Sequence, residues 1–137
     1  MPFYMQYGKI KGPMKGKYKD WIELSGVQFG IGRGISTPDG SSTKRESSPP
    51  SFGEFTITKK TDSSSAALYT EALSGKGQRV KIDLVRPDAL QSAYLRYEFE
   101  EAMVSSYNVS NGGDRPMESL AITFAKMTYT LAEGQKP

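Results

Sequence analysis

Polar and apolar residues alternate with period two through most of the chain, the pattern of strands that bury one face and wet the other. Val80, Ile82 and Leu84 fall on one side, with Lys81 and Asp83 on the opposite side. Leu95, Tyr97 and Phe99 align against Tyr94, Arg96, Glu98 and Glu100, which predicts a long strand with one wet face. Two segments change phase partway. Ile22 and Leu24 share a parity that Val27, Phe29 and Ile31 abandon after Ser25-Gly26, and Leu120, Ile122 and Phe124 give way in the same manner to Met127, Tyr129 and Leu131. One inserted residue moves every later side chain to the other face, so bulges or sharp bends are predicted at Ser25-Gly26 and Ala125-Lys126. Such devices curve a sheet into a barrel or pass a strand from one sheet to another.

A single segment, about 63–75, reads as helix. Asp62-Ser63-Ser64 offers capping oxygens, Leu68, Tyr69, Ala72 and Leu73 form an apolar stripe, and Gly75-Lys76 supplies a stop. The stripe predicts packing into the core, with the helix plugging or flanking the β-structure. Residues 36–51 are of another kind, with 12 of 16 positions Ser, Thr, Pro or Gly. Sixteen residues are long for an unstructured connection inside a compact domain. Two readings stand for this segment: a solvent loop, or an extended loop that orders against a partner.

Composition narrows the chemistry. The 137 residues, read as one domain over 1–137, hold no Cys and no His. Thiol nucleophiles, disulfides and Cys/His zinc sites are thereby excluded, and the usual neutral-pH general base is missing. No catalytic residue, metal ligand or cofactor is expected. Only 36% of residues are apolar, and with 14 Gly and 8 Pro a lone monomer would struggle to bury enough surface, which points to burial shared between subunits. The first residues, Met1 to Lys9, contain no continuous apolar run, and apolar stretches such as Ala66 to Tyr69 are far too short for a membrane helix. The chain is expected to be cytoplasmic before assembly and then secreted by a route that reads no N-terminal signal, without a cleaved signal peptide and without stable membrane insertion.

Several motifs are weighed and set aside. Gly30-Ile31-Gly32-Arg33-Gly34 matches neither dinucleotide nor P-loop spacing and reads as a strand end. Asn108-Val109-Ser110 fits the glycosylation sequon but leads into the turn Asn111-Gly112-Gly113-Asp114. Glu100-Glu101 is an adjacent carboxylate pair, and neighbours on a strand point to opposite faces, which is poor geometry for paired acid and base work. Lys9, Lys11, Lys15, Lys17 and Lys19 precede the first acid, Asp20, and suit an anionic partner, a solvated hairpin or an acidic face on a neighbouring subunit. With a net charge of only +3, nucleic acid is not the expected partner.

The ordered set Lys19-Asp20-Trp21-Ile22-Glu23 leading to Phe29-Gly30-Ile31, Phe55-Thr56-Ile57-Thr58-Lys59, Ser74-Gly75-Lys76, Met103-Val104-Ser105-Ser106-Tyr107 and Glu118-Ser119-Leu120-Ala121-Ile122-Thr123-Phe124-Ala125-Lys126 resembles the Hcp family, the haemolysin-coregulated tube proteins of bacterial type VI secretion systems. The resemblance covers essentially the whole chain. It implies a mainly β fold, a β-barrel of two packed antiparallel sheets with one flanking α-helix and a long extended loop. It further implies a homo-hexameric ring that stacks into a conduit and projectile, with sheath and spike components outside and small effector proteins in the lumen. On this resemblance Gln28 is expected to contact cargo in the lumen, and Lys44, Arg45 and Glu46 are expected in the ring-stacking loop. The alternatives are a tail-tube protein of a related phage-like contractile injection device and a stand-alone β-barrel module binding an anionic partner.

Overall fold

A computed structural model describes residues 1–32, 35–36, 46–47, 51–52, 54–113 and 115–131. In chain order the elements are β1 (Phe3–Tyr7), β2 (Ile22–Leu24), β3 (Gly26–Gln28), β4 (Ile31–Gly32), β5 (Ile35–Ser36), β6 (Glu46–Ser47), β7 (Ser51–Phe52) and β8 (Phe55–Lys60). Helix α1 (Ser65–Ser74) follows, then β9 (Gln78–Val85), β10 (Ala93–Ser110), β11 (Met117–Thr123) and β12 (Lys126–Leu131). The chain is mainly β, as the alternation predicts, with one α-helix among the described residues.

The strands form one eight-stranded antiparallel sheet in the order β2-β1-β9-β10-β11-β8-β3, with β12 added beside β10. The 18-residue β10 organises it. Residues 93–102 pair with β9 on one edge while residues 95–100 pair with β12 on the other, and residues 103–110 pair with β11. Register shifts between Phe99 and Ala102 and between Val104 and Ser106 bend the strand, and Glu101 adopts φ 55 at the first of them. The sheet therefore folds over on itself about β10, and its two halves enclose the core between them.

Both predicted bends are where the sheet changes partners. Ile22 pairs with Met5 of β1, whereas Gly26, beyond Ser25, pairs with Thr58 of β8. The Ser25 amide donates to the Thr58 carbonyl at 2.7 Å, holding the corner. Likewise β11 runs along the second half of β10, and after Phe124-Ala125 the chain returns as β12 along the first half. The hydrogen-bonded ladder is not closed. Its two end strands, β2 and β3, are joined through the backbone at Ser25, so a single bent sheet does the work expected of two packed ones.

The enclosed core takes the alternate positions of both halves: Met5 and Tyr7, Val80 and Ile82, Phe99, Ala102 and Val104, Leu120 and Ile122, Phe55 and Ile57. Leu68 of α1 is buried with them and Ala72 packs alongside. The helical stripe is otherwise wider than the surface it covers: Tyr69 is 53% and Leu73 70% exposed, so the expectation that all four apolar positions pack inward fails for these two. Residues three and four apart on a helix share a face, and the line through Leu68 and Ala72 is the one that meets the sheet.

A buried ion cluster fixes the start of α1. Lys59, fully buried on β8, donates from Nζ to Glu118 Oε1 at 3.1 Å, Asp62 Oδ1 at 3.1 Å, Ser65 Oγ at 3.2 Å and the Lys60 carbonyl at 2.9 Å. Asp62 Oδ1 in turn accepts the Ser64 amide at 2.8 Å and the Ser64 hydroxyl at 2.5 Å. Burying this cation is costly, and the cost is offset because its donors all find acceptors. Burial pushes the Glu118 carboxyl up, but hydrogen bonds from Ser65 and Lys59 and the Lys59 charge outweigh it, and the group is held below its ordinary value.

Candidate interaction surfaces

Cα partners across an antiparallel ladder project to the same side of a sheet, so the registers sort every strand residue to a face. In the half built from β3, β8, β11 and the second part of β10, the core side holds Ile57, Leu120 and Tyr107 in one row and Phe55, Ile122 and Val104 in the next. The opposite side faces outward. One outward row reads Gln28, Thr56, Ala121, Ser106, and the next reads Gly26, Thr58, Ser119, Asn108. A third, at the end of the strands, reads Lys60, Met117, Ser110. The first two rows carry no charge. Their side chains are hydroxyls, amides and small groups, a wetted surface of low relief.

The outward side of the other half is its opposite. Glu23, Tyr4, Asp83, Arg96 and Thr130 form one row across β2, β1, β9, β10 and β12, and Gln6, Lys81, Glu98 and Thr128 form the next. Asp83 is fully buried there. Arg96 grips its carboxylate through Nε at 2.6 Å and Nη2 at 2.7 Å, and the Tyr18 hydroxyl donates to it at 2.8 Å. Burial first, then the bond to Asp83, drives the Tyr18 phenol well above its ordinary value. Tyr18 and Trp21, ring centroids 4.8 Å apart, bring the connection between β1 and β2 down over this row with Tyr4 and Val85. The lysine run belongs to the same connection rather than to a strand. Lys9, Lys11, Lys15, Lys17 and Lys19 are all exposed, and Lys17 Nζ reaches the Gln91 carbonyl at 3.1 Å.

Between β3 and β8 the backbone makes an antiparallel ladder, Ile31 with Phe52 and Gly32 with Ser51, then Ile35 with Ser47 and Ser36 with Glu46. The described residues of this segment thus pair antiparallel across it. At its base Phe29 stacks near Phe55 at 5.7 Å and Tyr97 at 6.4 Å, continuing through Tyr97 to Tyr129 at 5.3 Å. On the flank of α1 the exposed Tyr69 meets the half-buried Tyr107 edge to face at 5.7 Å.

Gln28 ends β3 and is exposed in the uncharged outward row, beside Thr56. Glu46 pairs through its backbone with Ser36, while Lys44 and Arg45 lie outside the described residues. Thr56, Thr58, Ser106, Asn108 and Ser119 share the Gln28 face, and sequence reasoning had not joined them to it. Each sits at the polar positions of its own strand; only the pairing order makes them one surface. Glu100 and Glu101 do not act together: Glu100 approaches Arg79 at 3.8 Å and Glu101 turns aside on its positive φ. Among the described residues no group of three or more Asp and Glu could hold a metal ion, and no helix is long and apolar enough to cross a membrane.

Residues 4–131 match the family described as "Type VI secretion system effector, Hcp". No curated protein sequence matches the chain. Among solved structures, one described as a type six secretion system protein superposes with a TM-score of 0.82 at 24% identity, covering 93% of this chain and 82% of its own. An Hcp protein from E. coli of the EAEC 042 pathovar gives 0.80 at 21% identity, with 98% and 93% covered. An Hcp protein from Salmonella typhimurium gives 0.77 at 20% identity, with 96% and 87% covered.

Proposed function

The chain belongs to the Hcp family of type VI secretion system proteins, structural tube subunits known to form hexameric rings that stack, and from that membership we propose that the uncharged outward face around Gln28 lines the bore of the ring. The observation that carries this reading is the contrast between the two outward faces. A bore that carries varied cargo must stay wet and contact it through neutral groups, because charged walls would select cargo by sign. Rows of Ser, Thr, Asn and Gln hydrate well, project little and present no net field.

Ring closure fits the same half of the sheet. Among the described residues β3 is paired only on its β8 side, and residues 103–110 of β10 are paired only with β11. Unpaired edges at both ends of a half-sheet invite pairing with the next copy, and a closed ring covers all of them. The extended loop that carries Lys44, Arg45 and Glu46 then reaches toward the adjacent ring. Sheath and spike components meet the outside of the stack, and small effectors occupy the bore. Subunits assemble in the cytoplasm and leave through the system itself. The subunit makes and breaks no bonds; its work is mechanical.

Replacing Gln28 by Arg places one guanidinium per subunit in the bore. Rings should persist in native mass spectrometry while co-purification of small cargo falls by at least tenfold. Undiminished cargo recovery would remove Gln28 and its face from the bore, and a strictly monomeric chain would overturn the ring.

A further inference from the structure

Strand β8 spans the outward face from end to end, and its two ends are of opposite sign. Alternate residues share a side of an extended chain, so Glu54, Thr56, Thr58 and Lys60 stand opposite the buried Phe55, Ile57 and Lys59. Glu54 and Lys60 are both exposed. Extended backbone separates them by about 20 Å at about 3.3 Å per residue. The rows between them are the uncharged ones, Gln28 with Thr56 and Gly26 with Thr58. Continued by one residue, the register of β8 on β11 sets Glu54 against Thr123, which pairs with Met103, so the negative end carries no cation in its own row. At the positive end Lys60 shares its row with Met117 and Ser110. The exposed Arg115, just before β11, joins Lys60 along two cavities of about 490 and 420 Å³. Ser110 and Gly112 complete the first, and Glu23, Asp62 and Ser63 lie in the second. Asp62 is already engaged by Lys59 and Ser64. Among the described residues no ion pair or hydrogen bond occupies the side chains of Glu54, Lys60 or Arg115.

A face that is neutral along its length and charged only at its ends gains nothing from those charges within one subunit. In a ring whose bore this face lines, each copy adds a Glu54 to one mouth and a Lys60, with Arg115, to the other. Two rings laid in the same direction bring a positive mouth against a negative one. Two laid in opposite directions bring like against like. A single exposed ion pair contributes little, but closed symmetry repeats it once per subunit at every seam, and the repulsion between like mouths is multiplied in the same way.

We propose that Glu54 and Lys60 give the stack its direction, the Lys60 mouth of one ring, reinforced by Arg115, seating on the Glu54 mouth of a second copy. This rests on the bore reading above and adds the side chains that discriminate between the two ways of stacking. Reversing one charge at a time tests it. Glu54→Lys makes both mouths positive and Lys60→Glu makes both negative, at exposed positions where folding is little affected. Each variant alone should form rings in native mass spectrometry, and its tubes in low-salt electron micrographs should be at least fivefold shorter than those of the unmodified chain. Preformed rings of the two variants, mixed in equal amounts, should recover long tubes in which positive and negative rings alternate. A folding defect in one variant would not be mended by the other. Tubes of full length from either variant alone, no recovery on mixing, or unmodified rings that fail to associate at low salt would each overturn the seam and leave the ring standing. A strictly monomeric unmodified chain would overturn the ring itself.

Discussion

The two halves of β10 share one strand and one core yet present opposite chemistry to the outside. Over residues 93–102 the outward positions carry Arg96, Glu98 and Glu100, and a covering connection packs Tyr18 and Trp21 over the same face. Over residues 103–110 they carry Ser106 and Asn108, whose rows through Thr56 and Thr58 hold no charge, and Ser110, whose row ends in Lys60. Both halves bury the same kind of inward residue, Phe99 in one and Val104 in the other. Core packing therefore cannot explain the difference. The first half is finished within the subunit, through ion pairs and a roof of aromatic rings; the second presents hydroxyls, amides and small groups outward. Each half also buries one carboxylate, and the two are held differently.

Removing Glu118 should produce the largest effect. Glu118→Ala leaves the buried Lys59 with fewer acceptors and should cost about 3 kcal/mol in denaturant unfolding. The same carboxylate gives the second half an acid sensitivity with a definite sign. Its folded value lies below its unfolded value, so its contribution is complete above about pH 4.3 and is lost as pH falls through the folded value. The denaturation midpoint should fall in acid more steeply for the native chain than for Glu118→Gln, and equal slopes would remove Glu118 from the linkage. In the first half, Tyr18→Phe deletes one bond to the Asp83 carboxylate, which Arg96 still grips. A loss of about 1.5 kcal/mol is expected, together with faster amide exchange in the segment from Met14 to Trp21. The smallest change is predicted on the bare face, where Thr58→Ala should shift stability by under about 0.5 kcal/mol. A loss several times larger would mean that this face is a packed surface and would undo the contrast.

The bends were legible from the chain because a phase change is a local event. Ser25-Gly26 and Ala125-Lys126 interrupt alternations that are otherwise regular, and each marks the point where a strand leaves one partner for another. The helix was legible within two residues at its start, from Asp62 through Ser64. Its exposed flank was not, since Tyr69 and Leu73 satisfy the same periodicity as Leu68 and only the width of the sheet opposite decides which of them is covered. The pairing of Ser36 with Glu46 and of Gly32 with Ser51 was hidden for a different reason: the polar residues there carry no hydrophobic alternation, so backbone pairing leaves no trace in the pattern. Gln28 could be placed outward by parity, but its neighbours Thr56, Ser119 and Asn108 lie far away along the chain.

What the sequence by itself determined is local: the strand periods, the two bends, the place of the helix, the exclusion of thiol and imidazole chemistry, and a thin apolar content that calls for neighbours. Tertiary structure alone decided which edges pair, and with that which polar residues stand together. Side chains on one strand know only that they point away from the core. Whether they meet a lysine, an aromatic roof or another serine depends on the register of strands tens of residues distant, and such contacts are set by how the whole sheet closes over its core rather than by any stretch of chain within it.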